Sequence, residues 1–465
     1  MSTLDRIFIA VTVVTGLWWA FSRRRHPHRL QQLSVAAPAV AALTLVFEGV
    51  RWQMVPWLAL AVAIATAAAL RRWRPGRSRR WRRVIARAAV GVGLLVGSLT
   101  ALTAFVPTLP TPTGPHHVAS EIFRWTDDSR AETLTPDPAD HRQVVAQAWY
   151  PTDATGGRPV PYFEAQDRLP GSVGGVPSFF FSGYGRVRTH ATLESPVSSA
   201  QPRWPVLLFS TGLGVPREEY TALCTELASR GYVVVALSTP YESAPTVLPG
   251  GRVVGQTVHP DVMGPAPHPE LERLIDIRVA DVGFVLDQLT ALARVQPASA
   301  LAGHLDLRHV GIVGHSLGGA TAVQAMGGDR RLKVGVNLDG KLFGAQPEEH
   351  LRRPFLWIQS GGRQTDEYTG GRDRLLGGLR GGGALLTFGG SIHMGFSDAP
   401  SQWTAAGRGL IGGLVGVGSN SVAHMTSMTA DAIVAFAGHA LGVRRTGDLA
   451  QTLNRHPAIR IRVLP

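Results

Sequence analysis

The run HVGIVGHSLGGATAVQAMGG, residues 309–328, constrains the fold of this chain more than any other stretch. A short apolar segment of strand character leads into G-x-S-x-G, and an alanine-rich segment of helical character follows. A chain can use that pattern only if a buried strand ends in a sharp turn and a helix starts at once. Such a turn pushes the serine hydroxyl out beyond the end of the sheet. Gly314, Gly318 and Gly319 supply the bare backbone that a tight strand-to-helix turn needs. The motif alone says little, because 53 glycines in 465 residues yield about 0.4 chance matches. The strand before it and the helix after it make Ser316 a candidate nucleophile.

The surrounding sequence repeats the alternation. VLLFS (206–210), YVVVAL (232–237), HVGIVG (309–314), VGVNL (334–338), PFLWIQ (354–359) and ALLTF (384–388) read as buried strands. Helical or glycine-rich segments separate them. In ELERLIDIRVADVGFVLDQLTAL, Ile275, Val279, Val282, Leu286 and Leu289 share one stripe, and TADAIVAFAGHAL reads as the last helix. Continuous apolar strands between amphipathic helices predict a parallel sheet covered on both faces. Active residues in such sheets lie just past the C-terminal ends of the strands.

A serine needs a base, and the base needs an orienting acid. With the order Ser, acid, His, the base is predicted to be His393, five residues beyond Phe388 in ALLTFGGSIHMGFSD. His304, His424 and His439 do not follow a strand in that order, and His315, inside the turn, reads as structural. Two acids qualify by position: Asp339 at the end of VGVNLD, and Asp366 one strand later. An oxyanion hole needs two backbone N–H groups. Leu317 follows the serine, and Leu213 lies between glycines in VLLFSTGLG. No metal or cofactor is implied.

The first hundred residues differ. Apolar stretches at about 7–21, 33–47, 54–70 and 88–106 predict a membrane domain, 1–106, of four transmembrane helices, although the first two are short for a span. Net charge is +13, and two acid-free runs, RRRHPHR (23–29) and RRWRPGRSRRWRR (71–83), carry twelve arginines. Charge confined to such runs is a topology signal and argues against a nucleic-acid groove. Both runs on the cytoplasmic side put the N-terminus and everything after Val106 outside. Trp18, Trp19, Trp52, Trp57, Trp73 and Trp81 fall near the expected interfaces. PTLPTPTGP, within 107–115, reads as a stiff linker, leaving 116–465 as the second domain. The single cysteine, Cys224, excludes an intrachain disulfide.

At this level the chain resembles the plasma-type platelet-activating-factor acetylhydrolases and their bacterial relatives. The resemblance runs over roughly 140–440, on PVLLFSTGLGVPREEYTALCTELASRGYVVV, RVADVGFVLDQL, VGIVGHSLGGATA, GVNLDG and IHMGFSD in that order. It implies an α/β-hydrolase fold. It also implies Asp339 as the acid, His393 as the base with its following Met394–Asp398 run, and Leu213 and Leu317 as oxyanion donors. Thr211 stands where the family's oxyanion loop usually has histidine. The resulting expectation is a membrane-anchored, extracytoplasmic serine esterase acting on short acyl esters, including those of phospholipids. An acyltransferase or polyester hydrolase with the same triad, or a silent membrane sensor, are the rival expectations.

Overall fold

A computed structural model of the chain describes residues 3–21, 27–49, 51–73, 80–104, 106–169, 171–173, 176–261, 267–344, 351–443 and 449–464. The chain divides into two compact units. One is Met1–Pro107 with the short segments Phe179–Gly183 and Gln402–Gly407; the other is the remainder.

The first unit is built on four helices, α1 (Thr3–Phe21), α2 (Pro27–Glu48), α3 (Val55–Trp73) and α4 (Arg80–Thr100). They coincide with the four apolar stretches, but the expected spans are not met. Among the described residues no helix is long and apolar enough to cross a membrane. The physical reason is visible in the sequence. Asp5 and Arg6 sit in the first turns of α1, Pro38 lies inside α2, and α4 starts in an arginine run and stops at Thr100, short of 106. Of the two runs that set the expected orientation, 23–26 and 74–79 lie outside the described residues. Phe8, Met54, Trp57 and Ala61 form the interior. Gly97 lets α4 approach the Trp57 indole, where a Cβ would come within 2.6 Å of the ring. Asp5 and Arg51 pair in the interior. Phe179 and Phe180 pack edge-on against Trp52 within this unit.

The second unit is a ten-stranded sheet. Its strands are β1 (His117–Ala131), β2 (His141–Thr152), β3 (Ala191–Leu193), β4 (Trp204–Ser210), β5 (Val233–Leu237), β6 (Leu305–His315), β7 (Leu332–Leu338), β8 (Phe355–Ser360), β9 (Gly383–Phe388) and β10 (Ile459–Leu464). The spatial order is β10-β9-β8-β7-β6-β4-β5-β2-β1-β3. The six strands read from sequence, β4 to β9, all pair in parallel. β2 joins this block antiparallel, β1 pairs antiparallel with β2, and β10 closes the other edge antiparallel to β9. Period-two alternation divides each strand between two cores. Val206 and Leu208 face one, with α6 (Pro269–Val295) and α7 (Leu317–Gly328) over it. Leu207 and Phe209 face the other, under α5 (Thr221–Ser229) and a helix at Val422–Ala440. The stretch expected to be a stiff linker is docked at its end: Thr113 and Gly114 donate N–H bonds to Glu226 and Ser229 of α5.

Candidate active site

The C-terminal ends of β4, β6, β7 and β9 carry the residues the sequence singles out. At the end of β6 the chain turns into α7 through Ser316, whose φ of 56° and ψ of −122° are strained for any residue with a Cβ. The neighbouring glycines make the turn possible. A Cβ on Gly314 would sit 1.9 Å from the Gly318 carbonyl oxygen, and one on Gly318 would sit 2.1 Å from that of Ser210. Ser316 is held by its own N–H, which donates to the Leu338 carbonyl on β7.

Asp339 follows β7 directly, also at positive φ, 53°. One carboxylate oxygen accepts the Ser360 N–H at 2.7 Å and the Gln364 amide at 3.2 Å. The other faces His393 Nδ1 at 2.8 Å. Burial alone would raise this carboxyl's pKa. The hydrogen bond and charge of His393, with the Ser360 N–H, outweigh burial and hold it below the usual carboxylate range. Because the carboxylate can only accept, His393 carries its proton on Nδ1. Nε2 is left bare, 2.9 Å from Ser316 Oγ. Ser316, His393 and Asp339 therefore form one continuous hydrogen-bonded chain. Asp366, the alternative acid, is exposed at the start of the helix Asp366–Gly377, behind the N-cap Thr365.

The two expected oxyanion donors flank the serine. Leu317 is the first residue of α7, so its N–H precedes the helical ladder. The loop carrying Leu213 lies against the turn: a Cβ on Gly212 would be 3.4 Å from Ser316 Cβ and 3.2 Å from His315 Nδ1. Leu213 and Leu317 send their side chains into one apolar cluster with Leu271, Leu274 and Phe343.

The sequence reading gave His315 only a structural place and gave Arg278 no role. His315 is fully buried, with Nδ1 2.8 Å from Tyr220 Oη and Nε2 2.9 Å from the His393 carbonyl. Burial, together with the nearby His393, pushes its pKa down to about 3. Arg278 lies buried at the C-terminal end of the sheet and donates to the Thr211 carbonyl at 2.6 Å. The signal was available: on α6 it falls on the buried stripe between Ile275 and Val282, where a charge has no place without a partner. Asp398, at the end of the segment that begins with His393, accepts the Tyr162 hydroxyl at 3.1 Å and the Ala222 N–H of α5.

A mostly parallel sheet, a strained serine between strand and helix, and a histidine at hydrogen-bond distance define the class: this is an α/β hydrolase. A structural neighbour agrees. The ferulic acid esterase from Streptomyces cinnamoneus superposes with a TM-score of 0.64 at 29% identity, covering 76% of this chain and 99% of the esterase. The particular family follows from sequence. The family model for platelet-activating factor acetylhydrolase, isoform II, matches residues 167–248 and 283–452, more than half of the chain, which belongs to that family. Among curated relatives, the platelet-activating factor acetylhydrolase of Cavia porcellus is 25% identical over 271 residues, 54% of this chain and 60% of the relative. A probable 1-alkyl-2-acetylglycerophosphocholine esterase of Arthroderma benhamiae is 27% identical over 284 residues, 56% of this chain and 67% of the relative. The chain thus spans less than two thirds of the length of the first of these.

Proposed function

We propose that this protein is a serine carboxylester hydrolase that cleaves short acyl esters, those of phospholipids included, with Ser316 as nucleophile, His393 as general base and acid, and Asp339 as the orienting acid. The observation that carries the reading is the bonded chain Asp339–His393–Ser316, with contacts of 2.8 and 2.9 Å at a strained turn. His393 Nε2 takes the Oγ proton as Oγ adds to the ester carbonyl, and the carbonyl electron pair moves onto oxygen. The Leu213 and Leu317 N–H groups receive that oxyanion. Collapse breaks the bond to the alcohol, which leaves with the proton from Nε2. Water then repeats the sequence on the acyl-serine. Asp339 keeps Nδ1–H pointed at itself throughout and stabilises the imidazolium. The chemistry uses this chain's own groups, so a chelator should leave the rate unchanged.

The same proposal has the helical unit attached to a membrane, with residues beyond Val106 on the outer side. Its support is the number of large apolar side chains turned outward there: Val62, Val92 and Leu95 are each about 60% exposed, and Phe47 and Val46 more so. Alkaline phosphatase fused after Thr113 should be active; an inactive fusion would refute the orientation.

The function is tested by a substrate panel on the full chain: p-nitrophenyl acetate, butyrate and palmitate, 1-alkyl-2-acetylglycerophosphocholine, and methyl ferulate. Acetate and the acetyl phospholipid should turn over fastest. Each CH₂ buried in a pocket contributes about 0.8 kcal/mol, so rates rising steeply to palmitate would reveal a deep acyl pocket and refute the short-chain reading. A preference for methyl ferulate would move the substrate class to aryl esters.

A further inference from the structure

The oxyanion donor at Leu213 belongs to a loop with glycine on either side, and glycine resists rotation of neighbouring peptides least. Something must fix its direction. The preceding peptide, Thr211–Gly212, is one rigid plane with an oxygen at one edge and an N–H at the other. Both edges are held by buried side chains. Arg278 Nη1 donates to the Thr211 oxygen at 2.6 Å, and the Gly212 N–H donates to Tyr220 Oη at 3.0 Å.

We propose that Tyr220 and Arg278 are positioning residues that clamp the Thr211–Gly212 peptide from its two edges and so aim the Leu213 N–H at the oxyanion. This rests on the reading of Ser316 as nucleophile and Leu213 as donor.

Each clamp is itself anchored. Arg278 spends Nε and Nη2 on Glu242 Oε2, at 3.0 and 2.8 Å, leaving Nη1 for the loop. Both side chains are buried. Tyr220 is fixed through His315. The His393 carbonyl can only accept, so His315 Nε2 carries the proton and donates at 2.9 Å. His315 Nδ1 is then an acceptor, and the Tyr220 hydroxyl donates to it at 2.8 Å. The suppressed basicity of His315 agrees with this neutral tautomer. One directional chain therefore runs from the Gly212 N–H through Tyr220 and His315 to the backbone of His393. It ties the oxyanion loop to the segment that bears the base. With the 211–212 plane held, and the Gly212 carbonyl accepting from Val215 N–H at 3.3 Å, the 212–213 peptide has its orientation set from both sides. Its nitrogen is that of Leu213.

The test compares Tyr220→Phe and Arg278→Lys with the parent and with Ser316→Ala, all as full-length protein. Tyr220→Phe keeps the ring and removes only the hydroxyl. Arg278→Lys keeps the charge opposite Glu242 but lacks the fork that serves two partners. Losing an oxyanion donor outright costs about 10²–10³ in turnover, so a donor left in place but mis-aimed should cost about 10- to 100-fold in kcat on p-nitrophenyl acetate. KM should stay within about threefold. A trifluoromethyl ketone separates aim from fit. Ser316 Oγ adds to its carbonyl carbon, the proton passes to His393 Nε2, and the oxygen becomes an oxyanion in the same hole. Its inhibition constant should rise by the same factor as kcat falls. Parental kcat and ketone affinity in both variants would overturn the clamp. So would a loss confined to KM, or a loss of turnover accompanied by loss of the near-UV circular dichroism, which would make the residues structural only. If Ser316→Ala is inactive while both variants behave like the parent, only the clamp fails. If Ser316→Ala retains turnover, the nucleophile reading fails and takes the clamp with it.

Discussion

The two units of this molecule dispose of apolar side chains in opposite ways. In the hydrolase unit, strands such as β4, WPVLLFS, bury every residue and divide them between two cores. Of the helices over them, α6 presents one stripe inward and α5 is buried along its whole length. In the helical unit, a small interior around Phe8, Met54 and Trp57 accompanies a larger outward set: Ile7, Val14 and Leu17 of α1, Leu43, Leu45, Val46 and Phe47 of α2, and Val84, Ile85, Val92, Leu95, Val96 and Leu99 of α4. One unit consumes its apolar residues in folding. The other has more of them than its interior can take. Chemistry belongs to the first kind of unit, where strained and polar groups are gripped by dense packing; attachment suits the second. The predictions below try to break that division of labour.

The largest effect should come from the nucleophile. Ser316→Ala should lower turnover by about 10⁶ and abolish fluorophosphonate labelling, with unchanged near-UV circular dichroism. Activity within tenfold of the parent would mean that the chemistry lies elsewhere.

Next comes the acid. Asp339→Asn removes the charge that fixes the His393 tautomer and should cost about 10³-fold or more in kcat. Asp366→Asn, at an exposed helix start, should stay within about threefold. The exchanged result would transfer the acid's role to Asp366. The contrast marks how far the sequence could be read. Ser316, His393 and both acids were visible because each follows a strand of unmistakable apolar character. Position alone could not choose between Asp339 and Asp366, since either strand end lies near the nucleophile. Family resemblance favoured Asp339, and the side chain facing His393 is Asp339. Strands β1, β2 and β10 escaped notice because HRQVVAQAWYPT and IRIRVL mix charge with apolar residues, as antiparallel strands nearer sheet edges do. Tyr220 was hidden for another reason: its partners are a backbone N–H and a residue 95 positions away. Arg278 showed only as a charge on the buried stripe of α6, without its distant partners. In the helical unit, the apolar stretches located the helices but were overread as spans, because the helices also take in Asp5, Arg6, Pro38 and the charged start of α4.

A smaller effect is expected from the outward face. On the attachment proposed above, Val62→Arg with Leu95→Arg places charge on the apolar face that meets lipid, where an unpaired charge is unfavourable, yet an exposed substitution in water changes stability by no more than about 0.5 kcal/mol. The doubly substituted protein should leave the membrane fraction or fail to accumulate there. Its kcat on p-nitrophenyl acetate should stay within twofold of the parent. An unchanged distribution between membrane and soluble fractions would remove the contrast between the two units.

The smallest effect tests what dense packing costs the hydrolase unit. Asp398 is buried beside Tyr162, Tyr184 and Glu219, and desolvation raises its pKa to about 7 despite hydrogen bonds from Ala222, Tyr162 and Thr221. Asp339, equally buried, is held down because it faces an imidazole. For a carboxyl whose folded pKa lies above its unfolded value near 4, the folded state binds the proton more tightly. The stabilisation is complete below about pH 4 and is lost as pH rises through about 7, at most about 4 kcal/mol in all. Asp398→Asn cannot ionise, so its stability should lack that decline. Measured as the temperature at which esterase activity is irreversibly lost, the parent should fall by several degrees relative to the variant between pH 5 and pH 8. Parallel curves for the two proteins across that range would show that Asp398 does not bind a proton there, and that burial in this unit is relieved by contacts strong enough to keep the carboxylate charged.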